Sequence, residues 1–383
     1  MKATSKINLS RSALKQNLDF LRKVIGKEVI ICSVIKGNAY GHGIEKFVPL
    51  AEECGIKHFA VFSADEAIRT LNASTYKPMI MIMGMIDNQE LKWAIKNEIE
   101  YFVFELDRLE KSIEIAKKIG KKARVHIELE TGMNRTGFPE KDQDRVIELI
   151  KLNRQHINFR GLCTHYAGAE SIANYVRIIK QIKRYRKFYW KFVNESLEPD
   201  LRHTACSAAS MIYPRTRMDM VRIGIMQYGY WSSNETKINF LAKKGEKMDP
   251  LRRIISWKSK VMSVKNVKKG DFIGYGNSFL AQDDLKIATV PVGYSHGFSR
   301  SLSNRGRVLI NGFRVSVIGT VNMNMLVVNV TDLENIKKGD TVVMIGEQKD
   351  LSISVASFSE FSNQLNYELL TRLPLNIPRI IVK

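Results

Sequence analysis

The sequence predicts an α/β protein in which an N-terminal (β/α)8 barrel of the TIM type is followed by a mainly antiparallel β domain. Over roughly the first 240 residues, short apolar runs alternate about eight times with helical segments, which is the length expected of such a barrel. After about Ile238, strand-like runs follow one another without helices between them. The 383 residues suffice for two domains, which we place at residues 1–238 and 239–383.

The barrel strands are predicted from eight apolar, strand-like runs. They lie at residues 29–36, 58–63, 79–83, 99–105, 123–130, 159–166, 201–207 and 220–228. Segments with the apolar spacing of an amphipathic helix separate most of them, and include residues 44–54, 64–71, 106–119 and 142–152. A doubly wound open sheet rarely needs eight such units, so the alternation favours the barrel.

The second domain is predicted from runs typical of strands. These lie at residues 254–264, 285–292, 307–310, 313–318, 326–330 and 341–345. The Asn311-Gly312 pair between two of these runs is a strong signal for a two-residue hairpin turn. The tetrapeptide KKGD begins at Lys268 and again at Lys337, which we interpret as one turn chemistry used twice rather than a duplicated domain.

The chain carries a formal net charge of +21, a property that can serve binding to nucleic acid, to an anionic membrane surface or to acidic substrates. Its densest basic stretch, residues 175–195, repeats apolar residues at helical spacing. We interpret it as a solvated amphipathic surface helix, with RNA or lipid binding as the alternative. The first ten residues are too polar for a signal peptide, and no run approaches the roughly 20 apolar residues of a membrane helix, which predicts a cytoplasmic protein.

Neither a disulfide framework nor a metal site is predicted. The chain has four cysteines, which lie far apart and form no C-x-x-C pair: Cys32, Cys54, Cys163 and Cys206. We interpret them as reduced side chains. His42, His126 and His203 do not have the spacing of metal ligands.

One apolar run ends in a lysine that is followed by a glycine-rich turn and a tyrosine, in the segment SVIKGNAYGHG at residues 33–43. A lysine in this position can form a Schiff base with an aldehyde, and a glycine-rich turn can approach a phosphate closely. The combination suggests pyridoxal phosphate, with Lys36 as its anchor.

Other polar residues also lie where barrel strands end, which is where the active sites of such barrels are found. They are Lys36 after strand one, Glu130 and Arg135 after strand five, His165 at strand six, Ser207 at strand seven, and Arg222 with Gly224 at strand eight. Barrels commonly bind phosphate in the loops after strands seven and eight, where Ser207 and the Gly224-Ile225 backbone are expected.

At these residues the chain resembles the alanine racemase family, whose members join a barrel to a β domain and use pyridoxal phosphate. Six fragments appear in the family order over nearly the whole length. They are KGNAYGHG from Lys36, TGMNR at residues 131–135, Thr164-His165, Val221 to Gly224 in VRIG, Gly293-Tyr294 and Asn322-Met323-Asn324.

The resemblance implies a role for each matching residue. Lys36 would hold the cofactor aldehyde and act as one acid/base group, with Tyr294 as the second. The cofactor would further contact Tyr40, Ser207, Gly224 and Ile225 at its phosphate, His165 beside its ring and Arg222 at its ring nitrogen. Arg135 and the Met323 backbone would orient the substrate. Family members are homodimers in which the tyrosine comes from the partner's β domain, so dimerisation is expected to complete the active site.

Several positions depart from the family pattern. Glu128 stands where the family often has a lysine that is commonly carbamylated, so we expect no carbamate here and a carboxylate that holds Arg135 directly. Thr320 replaces a usual arginine, and Leu375 stands near the position of a usual tyrosine that narrows the substrate entrance. Asn324 and His296 stand where aspartates are common. These changes affect the expected substrate range more than the expected reaction.

The resemblance therefore implies a racemase that interconverts L-alanine and D-alanine by a two-base mechanism, supplying D-alanine for peptidoglycan in a bacterial cell. The alternatives are a racemase of the same family acting on other or several amino acids, such as serine or basic amino acids, a fold-related decarboxylase, and a charge-driven nucleic-acid or membrane binder. We expect a small amino acid as substrate and neither a membrane nor nucleic acid as partner.

Overall fold

A computed structural model describes residues 3–245, 248–354 and 366–383 of the chain. Its contacts divide the chain into two compact units. The barrel unit consists of the described residues of Ala13–Gly37 and Phe47–Arg252, and the β unit of those of Met1–Ser12, Asn38–Lys46 and Arg253–Lys383. The boundary between residues 238 and 239 that we placed from the sequence stays a prediction.

Strand and helix alternate after a first strand, β1 (Ser5–Ser10), and a first helix, α1 (Arg11–Ile25). The next eight strands are all paired in parallel: β2 (Ile30–Val34), β3 (His58–Val61), β4 (Met79–Ile82), β5 (Glu100–Val103), β6 (Ala123–Glu128), β7 (Ile157–Cys163), β8 (Leu201–His203) and β9 (Met220–Ile223). β9 pairs with β2, and backbone hydrogen bonds from Asp219 to Arg202 (3.2 Å) and from Arg222 to Ala205 (3.0 Å) connect β8 to β9. The predicted eight-stranded barrel is confirmed.

Besides α1, the described residues form the helices α2 (Lys36–Tyr40), α3 (Ile44–Glu53), α4 (Ala64–Ala73), α5 (Asn88–Lys96), α6 (Leu106–Ile119), α7 (Gln143–Leu152), α8 (Tyr175–Asn194), α9 (Ser207–Ile212), α10 (Asn234–Lys244) and α11 (Asn366–Thr371). Local chemistry fixes several ends. Ser63 caps α4, Asp87 and Glu90 form a capping box on α5, and Gly120 ends α6 in the left-handed conformation. The predicted helix at residues 175–195 is α8, whose buried stripe includes Tyr185 and Phe192.

The β unit contains the remaining strands: β10 (Ile255–Lys260), β11 (Ser263–Val267), β12 (Leu285–Val290), β13 (Arg307–Ile310), β14 (Phe313–Ile318), β15 (Leu326–Asn329), β16 (Thr341–Gln348), β17 (Leu351–Ile353) and β18 (Arg379–Val382). The main sheet has the order β11-β12-β15-β14-β13-β16-β10-β1-β18, with β17 on β16, and is antiparallel except where β1 meets β18. β1 therefore belongs to this sheet and not to the barrel.

Two predictions about turns are confirmed. Asn311 and Gly312 both have positive φ, 52° and 86°, in the two-residue turn between β13 and β14. In each KKGD segment the aspartate accepts a hydrogen bond from the first lysine's backbone, Lys268 to Asp271 at 3.3 Å and Lys337 to Asp340 at 3.0 Å. The same turn chemistry is thus used twice.

All eight barrel strands end earlier than the sequence suggests, and two of them end four or more residues earlier. The run predicted to end at Ser207 is β8 only to His203, and Ser207 begins α9. The run 220–228 ends as β9 at Ile223 and continues as a 3-10 turn, Ile225–Tyr228. Among the described residues, no helix combines the length and apolarity needed to cross a membrane.

Candidate active site

Lys36 follows the carboxyl end of β2, and hydrogen bonds hold that strand end in place. The Val34 carbonyl accepts hydrogen bonds from Gln227 Nε2 at 3.1 Å and from the Tyr228 hydroxyl at 3.0 Å. The Ser33 hydroxyl donates to Gln227 Oε1 at 2.7 Å. The turn that follows β9 thereby fixes the position from which the Lys36 side chain extends.

The electrostatic surroundings of Lys36 favour its neutral amine. The side chain keeps access to solvent in the single chain, but desolvation by surrounding protein atoms lowers its pKa. The cationic Arg135 and Arg222 lower this pKa further, and Glu66 opposes them. Burial lowers the pKa of His165 to about 3, and the charges of Arg222, Arg135 and Lys36 act in the same direction. His165 is therefore a neutral imidazole in a region rich in positive charge.

Arg222 lies on β9, buried, with most of its N–H groups tied to the barrel. Its Nη1 donates to His203 Nδ1 at 2.5 Å and to the His203 carbonyl at 2.6 Å. Its Nη2 donates to the carbonyls of Thr164 at 2.7 Å and Thr204 at 3.3 Å. The Nε–H has no hydrogen-bond acceptor among the described residues. A buried cation is thus held rigidly with one N–H available to a ligand.

Ser207, Gly224 and Ile225 lie at the starts of two helical turns. The Gly224 N–H donates to the Ser207 hydroxyl at 3.0 Å, which joins the two starts. Neither α9 nor the 3-10 turn at Ile225–Tyr228 begins with a hydrogen bond to a capping side chain. Backbone N–H groups without intrahelical acceptors suit a phosphate.

Glu128 ends β6 as a buried carboxylate. Burial raises its pKa, while the Thr136 hydroxyl and the charges of Arg222 and Arg135 lower it. In the described structure no hydrogen bond or ion pair joins Glu128 to Arg135, so their interaction is through space. The loop between them is shaped by Glu130, whose carboxylate accepts hydrogen bonds from the backbones of Gly132 and Asn134.

In the β unit, Tyr40 belongs to a left-handed turn. Residues 37–41 all have positive φ, with values of 63°, 55°, 53°, 50° and 79°. Such a run is unfavourable for residues other than glycine, and conformational strain of this kind clusters at functional sites. Gly41 ends it, and its carbonyl accepts hydrogen bonds from Arg379 Nη2 at 3.0 Å and Nε at 3.3 Å. The C-terminal segment thereby holds the turn that carries Tyr40.

Tyr294 and Met323 lie on two loops of the β unit that are bonded to each other. The Tyr294 N–H donates to the Asn322 carbonyl, and the Ser295 N–H to the Met323 carbonyl, each at 3.0 Å. A Cβ on Gly293 would overlap these two carbonyls, so only glycine allows this approach. Tyr294 remains 43% exposed and Met323 54% exposed. Both side chains are available to a ligand or to a partner.

Within the barrel unit, the structure brings Arg135 and Arg222 into electrostatic range of Lys36, His165 and Glu128. Sequence reasoning missed Glu66, Thr136 and His203, which shape the charge and position of these residues. Glu66 lies in the first turn of α4 and Thr136 in a loop, positions without a distinctive pattern. His203 stands out only as a polar residue within an apolar strand.

Two family models together match most of the chain. The model described as alanine racemase, N-terminal domain, matches residues 9–232. The model described as alanine racemase, C-terminal domain, matches residues 254–381.

Relatives and solved structures match over the full length. An alanine racemase of Leptospira interrogans is 32% identical over 379 residues, which cover 99% of this chain and 96% of the relative. The structure of alanine racemase from Clostridium difficile 630 has a TM-score of 0.91 at 31% identity, covering 100% of this chain and 96% of that one. A structure of the C. difficile protein in complex with cycloserine has a TM-score of 0.89 at 29% identity, with the same coverage.

Proposed function

The chain belongs to the alanine racemase family, and we propose that it interconverts L-alanine and D-alanine with pyridoxal 5′-phosphate as its cofactor. It is an amino-acid racemase, that is, an isomerase. In a bacterial cell the product D-alanine would enter peptidoglycan. The observation that carries the cofactor proposal is the buried Arg222, whose Nε–H has no acceptor in the described structure, in the same cationic region as Lys36.

The residues present fit this cofactor. Uncapped backbone N–H groups at Ser207 and Ile225 would hold a phosphate, and the cations around His165 would offset its charge. Tyr40 and Gly224 would complete the phosphate contacts, as the family pattern implies. When bound, pyridoxal phosphate supplies an aldehyde that takes up an amino group and a ring that withdraws electrons from the substrate Cα.

Lys36 and Tyr294 would perform the proton transfers. Racemisation removes the Cα proton on one face and returns a proton on the other, so it needs one acid/base group on each face. The lowered pKa of Lys36 increases the fraction of its Nζ that is neutral and able to accept a proton near neutral pH. The Tyr294 Oη would donate or accept the proton on the opposite face.

Arg222 would hold the ring nitrogen by donation alone. A guanidinium keeps its protons at all physiological pH values, so its Nε–H donates a hydrogen bond without transferring the proton. The anchored terminal nitrogens allow little movement of this group. Arg222 would thereby restrain electron withdrawal and disfavour side reactions such as transamination.

We further propose that the active protein is a homodimer in which Tyr294 acts in the partner's site. The exposure of Tyr294 and Met323 in the single chain supports this proposal. Arg135 and the Met323 backbone would then orient the substrate. Glu128 would support Arg135 through its negative charge.

A second candidate is a racemase of broader or different substrate range. Leu375 is 67% exposed and apolar, and the Thr320 hydroxyl is hydrogen-bonded to Ser278 Oγ at 3.0 Å. Neither supplies the charge or the aromatic hydroxyl that the family usually has at these positions. A serine or basic amino-acid racemase would be consistent with such an entrance.

The proposal is tested by two measurements on the purified full-length protein. Borohydride reduction followed by mapping of the modified peptide should place the cofactor on Lys36, with Lys36→Met as the unmodified control. Racemisation assays over a panel of L-amino acids should show the highest kcat/KM for alanine, and cycloserine, which the C. difficile relative binds, should inhibit.

Other results would separate the alternatives. Modification of another lysine would contradict the proposed anchor. A clear preference for serine or a basic amino acid would favour the second candidate. Release of carbon dioxide would indicate a decarboxylase, and salt-dependent nucleic-acid binding without a bound chromophore would indicate a charge-driven binder.

A further inference from the structure

A chain of hydrogen-bonded side chains runs from Arg222 through the interior of the barrel. His203 accepts from Arg222 at 2.5 Å through Nδ1, and its Nε2 lies 2.8 Å from His126 Nδ1. His126 Nε2 lies 3.0 Å from Glu100 Oε2, and Glu100 Oε1 accepts from Arg160 Nε at 2.7 Å. Four of these five side chains are almost fully buried, and that of Arg160 is 16% exposed.

The donors and acceptors of this chain allow only one arrangement of protons. Arg222 can only donate, so His203 Nδ1 must be unprotonated and its proton must lie on Nε2. That proton is donated to His126 Nδ1, which must therefore be an acceptor, and His126 carries its own proton on Nε2. A protonated His126 would set two N–H groups against each other. Glu100, an acceptor, receives the last hydrogen bond.

The charge of Glu100 is secured by its other partner. Burial alone would raise the pKa of Glu100, but hydrogen bonds from His126 and Arg160 and the positive charge of Arg160 lower it. Arg160 is held in turn by Asp200, with Nη1 2.6 Å from Oδ2. Glu100 therefore remains an ionised acceptor throughout the physiological pH range.

The barrel backbone is adapted to this chain of side chains. The pairing of β6 with β7 shifts at His126, where Val125 pairs with Phe159 but His126 pairs with Gly161, leaving Arg160 as the extra residue of a bulge. A Cβ on Gly161 would lie 2.8 Å from His203 Nε2 and still closer to His126 Nδ1. These two nitrogens form the hydrogen bond between the histidines, so a side chain at position 161 would occupy the space of that hydrogen bond.

We propose that Glu100 is a positioning residue that fixes the tautomers of His126 and His203 and thereby keeps His203 Nδ1 as the acceptor that holds Arg222. The tautomers follow from the hydrogen bonds among these five side chains and do not depend on the proposed function. The consequence for the reaction rests on the proposed function, in which Arg222 Nε–H donates to the cofactor ring.

Glu100→Gln tests the proposal because it reverses the order of donors and acceptors without changing size. Arg160 can only donate, so the side-chain oxygen of the new glutamine must face Arg160. The glutamine NH2 then faces His126 Nε2, which must accept a hydrogen bond. The His126 proton moves to Nδ1, the His203 proton moves to Nδ1, and that N–H opposes the N–H of Arg222. The double variant Glu100→Gln, Arg160→Met frees the amide to turn its oxygen to His126, which should restore the original tautomers.

The tautomers are read by NMR of nitrogen-15-labelled histidine in the full-length protein, with cofactor bound and after its removal. Resonances are assigned from single histidine substitutions. The native protein should show both histidines neutral and protonated on Nε2, and Glu100→Gln should show both protonated on Nδ1. In the same variant, kcat for racemisation should fall about ten- to a hundredfold with KM changed less than about twofold, and the double variant should recover most of the loss.

Two outcomes would overturn the proposal. One is a native protein in which His203 carries its proton on Nδ1, a result that needs no variant to fold. The other is Glu100→Gln with unchanged tautomers. Gly161→Ala should break the His126–His203 bond and lower kcat in the same way, and an unchanged rate would also count against it. If the native protein proves inactive as a racemase, the proposed function fails while the NMR result still decides the tautomers.

Discussion

The candidate site depends on single residues whose charges are set by their neighbours. Lys36 and His165 both have lowered pKa values, in each case first through burial and then through surrounding cations. Glu66 opposes these cations at Lys36, whereas Glu128 is a second carboxylate whose own burial raises its pKa. Loss of the Glu128 charge should change the electrostatic surroundings of Arg135 and Arg222, although no hydrogen bond joins Glu128 to either residue in the described structure.

Glu128→Gln should raise KM for alanine several-fold and lower kcat less. The glutamine keeps the size of the side chain but leaves the positive charge of Arg135 uncompensated, which alters how that residue orients a substrate carboxylate. Steady-state kinetics in both directions measure the effect, and Glu148→Gln on the exposed face of α7 is the matched control. Kinetics equal to those of the control would show that Glu128 has no part in substrate binding.

At residue level, polar side chains at strand ends could be predicted from the sequence, whereas those inside strands could not. The ends of apolar runs are visible as a change of residue type, which gave Lys36, whereas Arg135 and Arg222 received their roles through the family resemblance. Glu100 and His126 lie within apolar runs, and their meeting depends on the bulge that sets the register of β6 against β7. Register across parallel strands is a tertiary property that no local pattern encodes.

The left-handed turn at residues 37–41 is unfavourable on its own and is held by the C-terminal segment. Gly41 has a φ of 79°, and a Cβ there would overlap the Leu370 carbonyl. Arg379 fixes the same glycine through its carbonyl. The geometry of this turn is therefore imposed by residues more than 300 positions away in the chain.

Gly41→Ala should lower the free energy of unfolding by more than the cost of placing an alanine at a positive φ, because the added Cβ would also overlap the Leu370 carbonyl. Gly26→Ala is the matched control, since Gly26 has a φ of 112° with no atom within 4 Å of the added Cβ. We expect the control to lose about 1–2 kcal/mol and Gly41→Ala to lose clearly more. Urea unfolding at equilibrium measures both. Equal losses of stability in the two variants would mean that the Leu370 carbonyl moves away from the added Cβ without lowering the free energy of unfolding.

Elements with local signals could be predicted, and those that depend on distant partners could not. The Asn311-Gly312 hairpin and the two KKGD turns are determined within a few residues, and the structure confirms them. β1 was missed because its partners, β10 and β18, lie about 250 and 370 residues further along the chain. Six residues without a turn signal give no indication of such a pairing.

At the scale of the whole molecule, some of the basic residues behind the net charge of +21 are held in ion pairs. On α8, Lys187 pairs with Glu140 at 2.6 Å and Lys191 with Asp144 at 2.8 Å. These pairs fit the interpretation of α8 as a solvated surface helix. Such exposed pairs contribute little to stability but reduce the local charge available to a nucleic acid or a lipid surface.

The proposed sharing of the active site between subunits can be tested by complementation. Lys36→Met and Tyr294→Phe should each give a homodimer without racemase activity, because every site lacks one acid/base group. In a mixed dimer, one site lacks both groups and the other contains Lys36 of one subunit with Tyr294 of its partner. Random reassembly of equal amounts should therefore restore about one quarter of the native activity.

The complementation result separates the two possible arrangements of the site. If Lys36 and Tyr294 acted within the same subunit, no mixed dimer would contain an intact site, and the mixture would stay inactive. Co-expression of the two variants with different affinity tags allows the mixed dimer to be isolated, where about half of the native activity is expected, since one of two sites is complete. Dilution below the dissociation constant of the dimer should abolish this activity, because each separated subunit lacks one of the two groups.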